Sequence, residues 1–218
     1  METKSDQALV GVQNYLEGKK KVVILLSLHC SQEFPWTWEW FEDPRFHISS
    51  RTDAGVHALA NAAHLDILRP PGKAPFTGPQ LAQGLNHHLR PEPIRILSAQ
   101  RVPSTFHARF CALSRTYIYR LLLGCAHHSQ IPVFERDLCW APPGGPLDIP
   151  AMREAAQFLL GTHDFSTFRS LGSDGASQSA VRTVQQLQLQ PAPAFLAQHH
   201  RELEFWEVKV KSRAFLYR

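Results

Sequence analysis

The alternation of hydrophobic and polar residues divides the chain into short strands, a partial N-terminal helix and two longer helices. The apolar run from Val22 to Leu28 is too short to cross a bilayer and is typical of a buried strand. Val181 to Leu189 and Leu203 to Lys211 predict two further strands, the second because its apolar and polar residues alternate cleanly. Leu59 to Leu68 is apolar on both alternating sets. Its alanines favour a helix and its apolar run also suits a buried strand, so the pattern alone leaves both open.

Capping residues predict the two helices. The run Thr77-Gly78-Pro79-Gln80 is a capping-box pattern, which predicts a helix from about Gly78 to Leu89. Asp148 is the predicted cap of a second helix through Leu160, with an inner side formed by Ala155, Ala156, Leu159 and Leu160. Strands are predicted from Ile94 and over Ser114–Leu123. The mixed order of strands and helices indicates an α+β fold rather than a parallel doubly wound sheet.

Composition adds little, but the distribution of charge adds more. The 218 residues carry a formal net charge of +4. Between Arg90 and Arg120 there are six arginines and a single acid, Glu92. A positive stripe of this kind suits phosphate contacts, so it permits a nucleic-acid partner.

Cysteines and histidines are the remaining candidates for special chemistry. The four cysteines are far apart and form no C-x-x-C pair, which favours free thiols in a reducing compartment. Of the twelve histidines, six form adjacent pairs, and adjacent side chains cannot face one site on a helix or strand. We therefore expect no metal.

The stretch Arg51-Thr52-Asp53-Ala54-Gly55-Val56-His57-Ala58 is the strongest candidate for a site. Glycine permits positive φ and aspartate tolerates turn conformations, so the stretch predicts a tight loop. A loop that presents a carboxylate beside an arginine could be a catalytic platform. An ordinary surface turn with a local ion pair is the alternative.

Four motifs in order resemble one family. Arg51–His57 resembles the signature loop of the TruA family of tRNA pseudouridine synthases. Phe106–Phe110, Arg115–Tyr119 and Leu160–Ser166 resemble its second motif, its Arg-x-Tyr-x-Tyr strand and a fourth landmark. The resemblance covers roughly Phe46 to Arg218. It implies an α+β fold with a mixed, largely antiparallel sheet and helices packed on one face, and it makes Leu59–Leu68 a strand.

The resemblance also implies an activity, isomerisation of uridine to pseudouridine in tRNA. Asp53 inherits the role of catalytic residue, either as nucleophile on the sugar or as a base. Tyr117 would line the site against the target base. Arg51, His107 and Arg109 are the further substrate-binding candidates. Neither a cofactor nor a membrane is implied. A homodimer is one candidate assembly, and the animal branch of the family suggests a mitochondrial location.

The chain departs from the family pattern at both ends, and we therefore expect it to be truncated there. Residues 1–45 are predicted to hold a partial N-terminal helix and an atypical insert, and residues 46–218 the catalytic core. The tryptophan-rich segment from Ser31 to Arg45 could be a strand with one wet face, a poorly packed insert or a base-stacking surface. The family's charge-partner arginine would follow Phe215–Arg218.

Two other functions remain open. The chain could be a non-catalytic, RNA-binding member of the same family. A hydrolase that uses Asp53 with a second acid is the third reading, although no second acid lies near a matching motif.

Overall fold

The computed structural model describes residues 20–28, 46–52, 55–67, 69, 72–125, 127–143, 147–169, 179–192 and 203–216. The chain divides into two compact units, Met1–Ala112 and Leu113–Arg218. The predicted N-terminal helix, the tryptophan-rich segment and Asp53 lie outside the described residues. The predicted boundary between residues 45 and 46 stays a prediction.

The first unit contains a four-stranded antiparallel sheet with one helix. Its strands are β1 (Lys20–Leu28), β2 (His47–Ile48), β3 (Ala58–Ile67) and β4 (Ile94–Arg101), in the spatial order β2-β3-β1-β4. The segment Leu59–Leu68 is thus a strand, and the helical alternative is excluded. Alternate side chains of β1 (Val22, Ile24 and Leu26) are buried on one face.

Helix α1 (Gly78–His88) covers that face of the first sheet. Thr77 begins it with the predicted capping box, in which Thr77 and Gln80 each bond the other's backbone N–H through their side chains. Its residues Leu81 and Leu85, followed by Leu89, pack into the same core as the alternate residues of β1 and β3. The start of the helix lies very close to β4, because a Cβ on Gly78 would sit 2.0 Å from the carbonyl oxygen of Ala99.

The second unit also contains a four-stranded antiparallel sheet. Its strands are β5 (Arg115–Leu123), β6 (Gly161–Asp164), β7 (Val181–Pro191) and β8 (Glu204–Ser212), in the order β5-β8-β7-β6. All the strand ladders of both sheets are antiparallel among the residues that the structure describes. The α+β prediction is confirmed, whereas the mixed sheet is not found: the described strands form two antiparallel sheets.

Helix α2 (Ile149–Gln157) packs on one face of the second sheet. Asp148 caps it as predicted, because its Oδ1 accepts from the N–H of Ala151 at 2.9 Å. The predicted inner side is wrong in part. Ile149 is the buried helix residue and Met152 packs beside it, whereas Ala155 is exposed. The helix ends at Gln157, three residues before the predicted Leu160, and a turn follows.

The opposite face of the second sheet is covered by residues 127–141. Leu122 and Phe205 are buried there against Ile131. Arg120 also points to this side, where it forms a two-pronged salt bridge with the buried carboxylate of Glu135. The charge of Arg120 is therefore committed to Glu135, which removes it from the predicted stripe of phosphate contacts.

Candidate functional site

The signature loop connects the two strands of a β-hairpin. β2 and β3 pair antiparallel with His47 opposite His64 and Ile48 opposite Ala63. The backbone N–H of Ser49 continues the pairing to the carbonyl of Ala62 at 2.8 Å. The loop prediction is therefore confirmed for the described residues, and Gly55 adopts the positive φ of 80° that it was expected to supply.

A buried asparagine fixes the base of this loop. Asn61 donates from Nδ2 to the carbonyl of Ser50 at 2.7 Å, and its Oδ1 accepts from the hydroxyl of Ser49 at 2.9 Å. Because the side-chain amide forms hydrogen bonds with Ser49 and Ser50 at once, it fixes the position of the chain just before Arg51. Arg51 itself is exposed. Sequence reasoning missed Asn61, because nothing local distinguishes it from other strand residues.

The second motif is a turn attached to the sheet face opposite α1. The N–H of Ala108 donates to Nδ1 of His64 at 3.0 Å, and both residues are buried. The ammonium of Lys21 donates to the carbonyls of Ser104 at 2.9 Å and Phe106 at 3.2 Å. β1 and β3 thus each supply one side chain that holds the turn, since Lys21 and His64 point to the same side of the sheet.

Three histidines meet at this turn. The ring centroids of His47, His64 and His107 are 4.7 to 4.9 Å apart in each pairing. One ring nitrogen from each lies within 4.8 Å of the other two. The name histidine cluster is used below for these three residues. His47 is exposed, His107 is half-buried and His64 is only 3% exposed.

The surroundings of the cluster lower the pKa of two of its three imidazoles. Burial, with the nearby Lys21 ammonium, lowers the pKa of His64 to about 4. Partial desolvation and the neighbouring His47, Lys21 and Arg109 lower the pKa of His107 below its ordinary value. At neutral pH both rings are therefore uncharged, and each can donate from one nitrogen only.

The donor set of the cluster does not fit a metal ion well. Nδ1 of His64 accepts the N–H of Ala108, and Nδ1 of His107 accepts the N–H of Arg109 at 3.2 Å. Each neutral ring then carries its proton on Nε2, the nitrogen that a metal would need. A metal-ligating histidine normally donates from its second nitrogen rather than accepting there.

Two of the predicted binding residues belong to this turn. His107 is part of the cluster, and Arg109 follows it with an exposed side chain whose guanidinium lies 5.7 Å from the ring centroid of Phe110. The structure therefore brings His107 and Arg109 together with His47 and His64. Sequence reasoning missed His47 and His64, because neither lies in a recognised motif and they meet only through the hairpin pairing.

Tyr117 belongs to the second unit. It lies on β5, half-buried, and its ring meets Phe215 edge to face with centroids 4.9 Å apart. The side chain of Arg115 also donates to the carbonyl of Arg213. The predicted common face for Tyr117 and Tyr119 agrees with the strand geometry, although Tyr119 is 57% exposed rather than half-buried.

The fourth landmark, Leu160–Ser166, contains strand β6 and the turn that follows it. Oδ1 of Asp164 accepts from the backbone N–H and the hydroxyl of Ser166. These hydrogen bonds lower the pKa of the exposed Asp164 carboxyl. The contacts account for this landmark as a turn after β6.

Comparisons with known proteins identify the family of this chain. Residues 155–218 match the family model described as tRNA pseudouridine synthase. The chain is 50% identical over 215 residues to tRNA pseudouridine synthase-like 1 of Homo sapiens, which covers 97% of this chain and 65% of the human protein. It is 47% identical over 221 residues to the protein of the same name from Xenopus laevis, with 100% and 68% covered.

A bacterial relative matches a shorter part. tRNA pseudouridine synthase A of Nitrobacter winogradskyi is 46% identical over 146 residues, 67% of this chain and 52% of that protein. The chain belongs to the tRNA pseudouridine synthase family. It spans about two thirds of the length of the human and Xenopus relatives. No helix in the described ranges is long and apolar enough to cross a membrane.

Proposed function

We propose that this chain converts uridine to pseudouridine in tRNA, with Asp53 as the catalytic residue. The observation that carries the proposal is the 50% identity to the human relative across 97% of this chain, which includes the Arg51–His57 loop in its span. The anchored hairpin supports it, because a catalytic carboxylate needs a fixed base from which to act.

The chemistry asks for a carboxylate and no cofactor. Breaking the glycosidic bond of a uridine develops positive charge on the sugar, which a carboxylate can stabilise or attack. The freed uracil turns and rejoins through carbon, so the atoms of substrate and product are the same. Asp53 would act as nucleophile on the sugar or as a base towards it.

In this proposal the other site residues bind and position the substrate. The target base must leave the RNA stack, which costs roughly a few kcal/mol. Tyr117 would stack on the freed base, and His107 with Arg109 would bind the backbone. Arg51 would either keep Asp53 ionised or contact a phosphate.

Assembly and location are part of the same proposal. A homodimer predicts a sedimentation mass of twice 24.7 kDa for the chain. A mitochondrial location predicts that the protein, expressed with a fluorescent tag, coincides with a mitochondrial stain. A monomer mass or a diffuse signal would contradict these two points without affecting the activity.

Release of tritium from tRNA labelled at uracil C5 tests the activity, because C5 loses its hydrogen when it becomes the glycosidic carbon. We expect release by the chain, and a loss of about a thousandfold or more with Asp53→Asn, since this change removes the reacting group and nearly preserves its shape. Release that is the same with and without Asp53→Asn would contradict the assigned role.

The same pair of proteins separates the enzyme from a non-catalytic RNA-binding protein. The enzyme reading predicts that Asp53→Asn binds tRNA about as tightly as the original chain and yet releases no tritium. Binding by both proteins with no release by either would favour the non-catalytic alternative.

A further inference from the structure

We propose that the histidine cluster, with Lys21 behind it, binds a phosphate group of the RNA backbone beside the signature loop. The proposal rests on the proposed function for the identity of the RNA, but the site itself is argued from geometry. It adds His47, His64 and Lys21 to the two residues of the turn that the sequence nominated.

The first argument is the direction of the hydrogen bonds. Because Nδ1 of His64 and of His107 accepts from backbone, both rings present Nε2–H groups as donors. The ammonium of Lys21 adds positive charge beside them, with two of its N–H groups already bonded to the carbonyls of Ser104 and Phe106. The carboxylate of Asp66 acts in the opposite direction, because it raises the pKa of His64. Asp66 pairs with Lys21 in the strand register. A cluster made of donors suits an anion.

The second argument is the separation of the ring nitrogens. A zinc ion about 2.0 Å from each ligand holds two tetrahedral nitrogens about 3.3 Å apart. An oxygen that accepts two hydrogen bonds of about 2.9 Å holds its donors about 4.7 Å apart. One ring nitrogen of each residue lies within 4.8 Å of those of the other two, and this limit accommodates an oxygen atom that accepts from all three rings.

The third argument is position. His47 stands opposite His64 in the hairpin, two residues before Ser49, where the loop begins. At about 3.3 Å per strand residue, the cluster is about 7 Å along the strand from the base of the loop. Successive phosphates of an RNA strand that reached the loop could therefore pass the exposed His47, which gives the anion its entry.

Titration with inorganic phosphate, followed by NMR of the chain labelled with ¹⁵N-histidine, tests the site. We expect the signals of His47, His64 and His107 to shift together and to saturate. Before phosphate is added, the ¹⁵N chemical shifts of His64 should show the tautomer that is protonated at Nε2. His87 is the control. It is exposed on α1, and α1 lies on the other side of the first sheet from the cluster. Equal shifts at His87, or no shift at the cluster, would overturn the proposal.

Zinc titration in phosphate-free buffer separates the two ligand classes. If zinc at micromolar concentration shifts all three histidines and phosphate does not, the cluster is a metal site and the proposal is wrong. If neither ion shifts them, the cluster only holds the turn on the sheet, and the proposal is equally wrong.

Binding of tRNA tests the biological source of the phosphate. His47→Gln and His107→Gln should together weaken tRNA binding about tenfold, as expected for two lost bonds to an anion, whereas His87→Gln should not.

These outcomes keep the two proposals apart. A site that binds inorganic phosphate while the double variant binds tRNA normally would overturn the assignment to RNA. Tritium release that survives in the double variant at saturating tRNA would leave the isomerase function standing, whatever the fate of the phosphate site.

Discussion

The two units build similar sheets and use the second face of those sheets differently. In each, one helix covers one face of four antiparallel strands. In the second unit, the other face is closed by apolar side chains and by the ion pair of Arg120 with Glu135. In the first unit, the corresponding face carries Lys21, His47 and His64 beneath a turn. The second unit thus matches a buried charge with an ion pair, whereas the face of the first unit carries the histidine cluster that we propose as a phosphate site.

Breaking the ion pair of the second unit should give the largest loss of stability. Arg120→Leu leaves the carboxylate of Glu135, only 5% exposed, without its partner. We expect a loss of about 3 to 5 kcal/mol in the free energy of unfolding, measured by urea denaturation. Replacing both residues by leucine should recover most of it. A single variant that loses less than about 1 kcal/mol would show that the pair is not structural.

The close contact of α1 with β4 should come next. Gly78→Ala forces a Cβ against the carbonyl of Ala99, so we expect a loss of about 3 kcal/mol, at the upper end for overpacking. Gly84→Ala in the same helix meets nothing within 4 Å and should instead add about 0.5 to 1 kcal/mol. Thermal unfolding of the two variants measures the contrast, and equal effects would mean that the helix start is free to move.

The neutral His64 makes the first unit sensitive to acid. Its pKa is about 4 when folded and near 6.5 when unfolded, so the unfolded chain binds more protons between these values. Its contribution is complete above pH 6.5 and is lost as the pH falls towards 4. We expect a loss of about 2 kcal/mol between pH 7.5 and pH 5.

His64→Gln is the matched variant for that experiment, because its amide oxygen can still accept from Ala108 and does not titrate. Urea denaturation at both pH values should show a smaller drop for the variant than for the original chain. Equal drops would assign the acid sensitivity to other groups.

The sequence predicted the helices and strands better than it predicted which surfaces of them pack together. The capping residues Thr77 and Asp148 identified the start of both helices, since a cap depends on a few neighbouring residues. It misjudged the inner side of α2, because which face is buried depends on the sheet that the helix meets. Leu59–Leu68 stayed ambiguous by pattern, and pairing with β1 and β2 decides it.

The candidate site was predictable only where it is local. The loop around Arg51 was recognised from consecutive residues. The histidine cluster was not, because His47, His64 and His107 come from three separate segments. A hairpin register drawn around the loop would have paired His47 with His64. The approach of His107 follows from the Ala108 hydrogen bond to His64, which no sequence pattern shows.

The anchoring of the loop by Asn61 separates the need for a fixed position from the need for reactive side chains. The amide lies on a strand, outside the loop, and bonds the two serines at its entrance. The hairpin register at the entrance of the loop is therefore held by side chains that lie before Arg51 and on β3. We therefore expect substitutions within the loop to change its chemistry more readily than its attachment to the sheet.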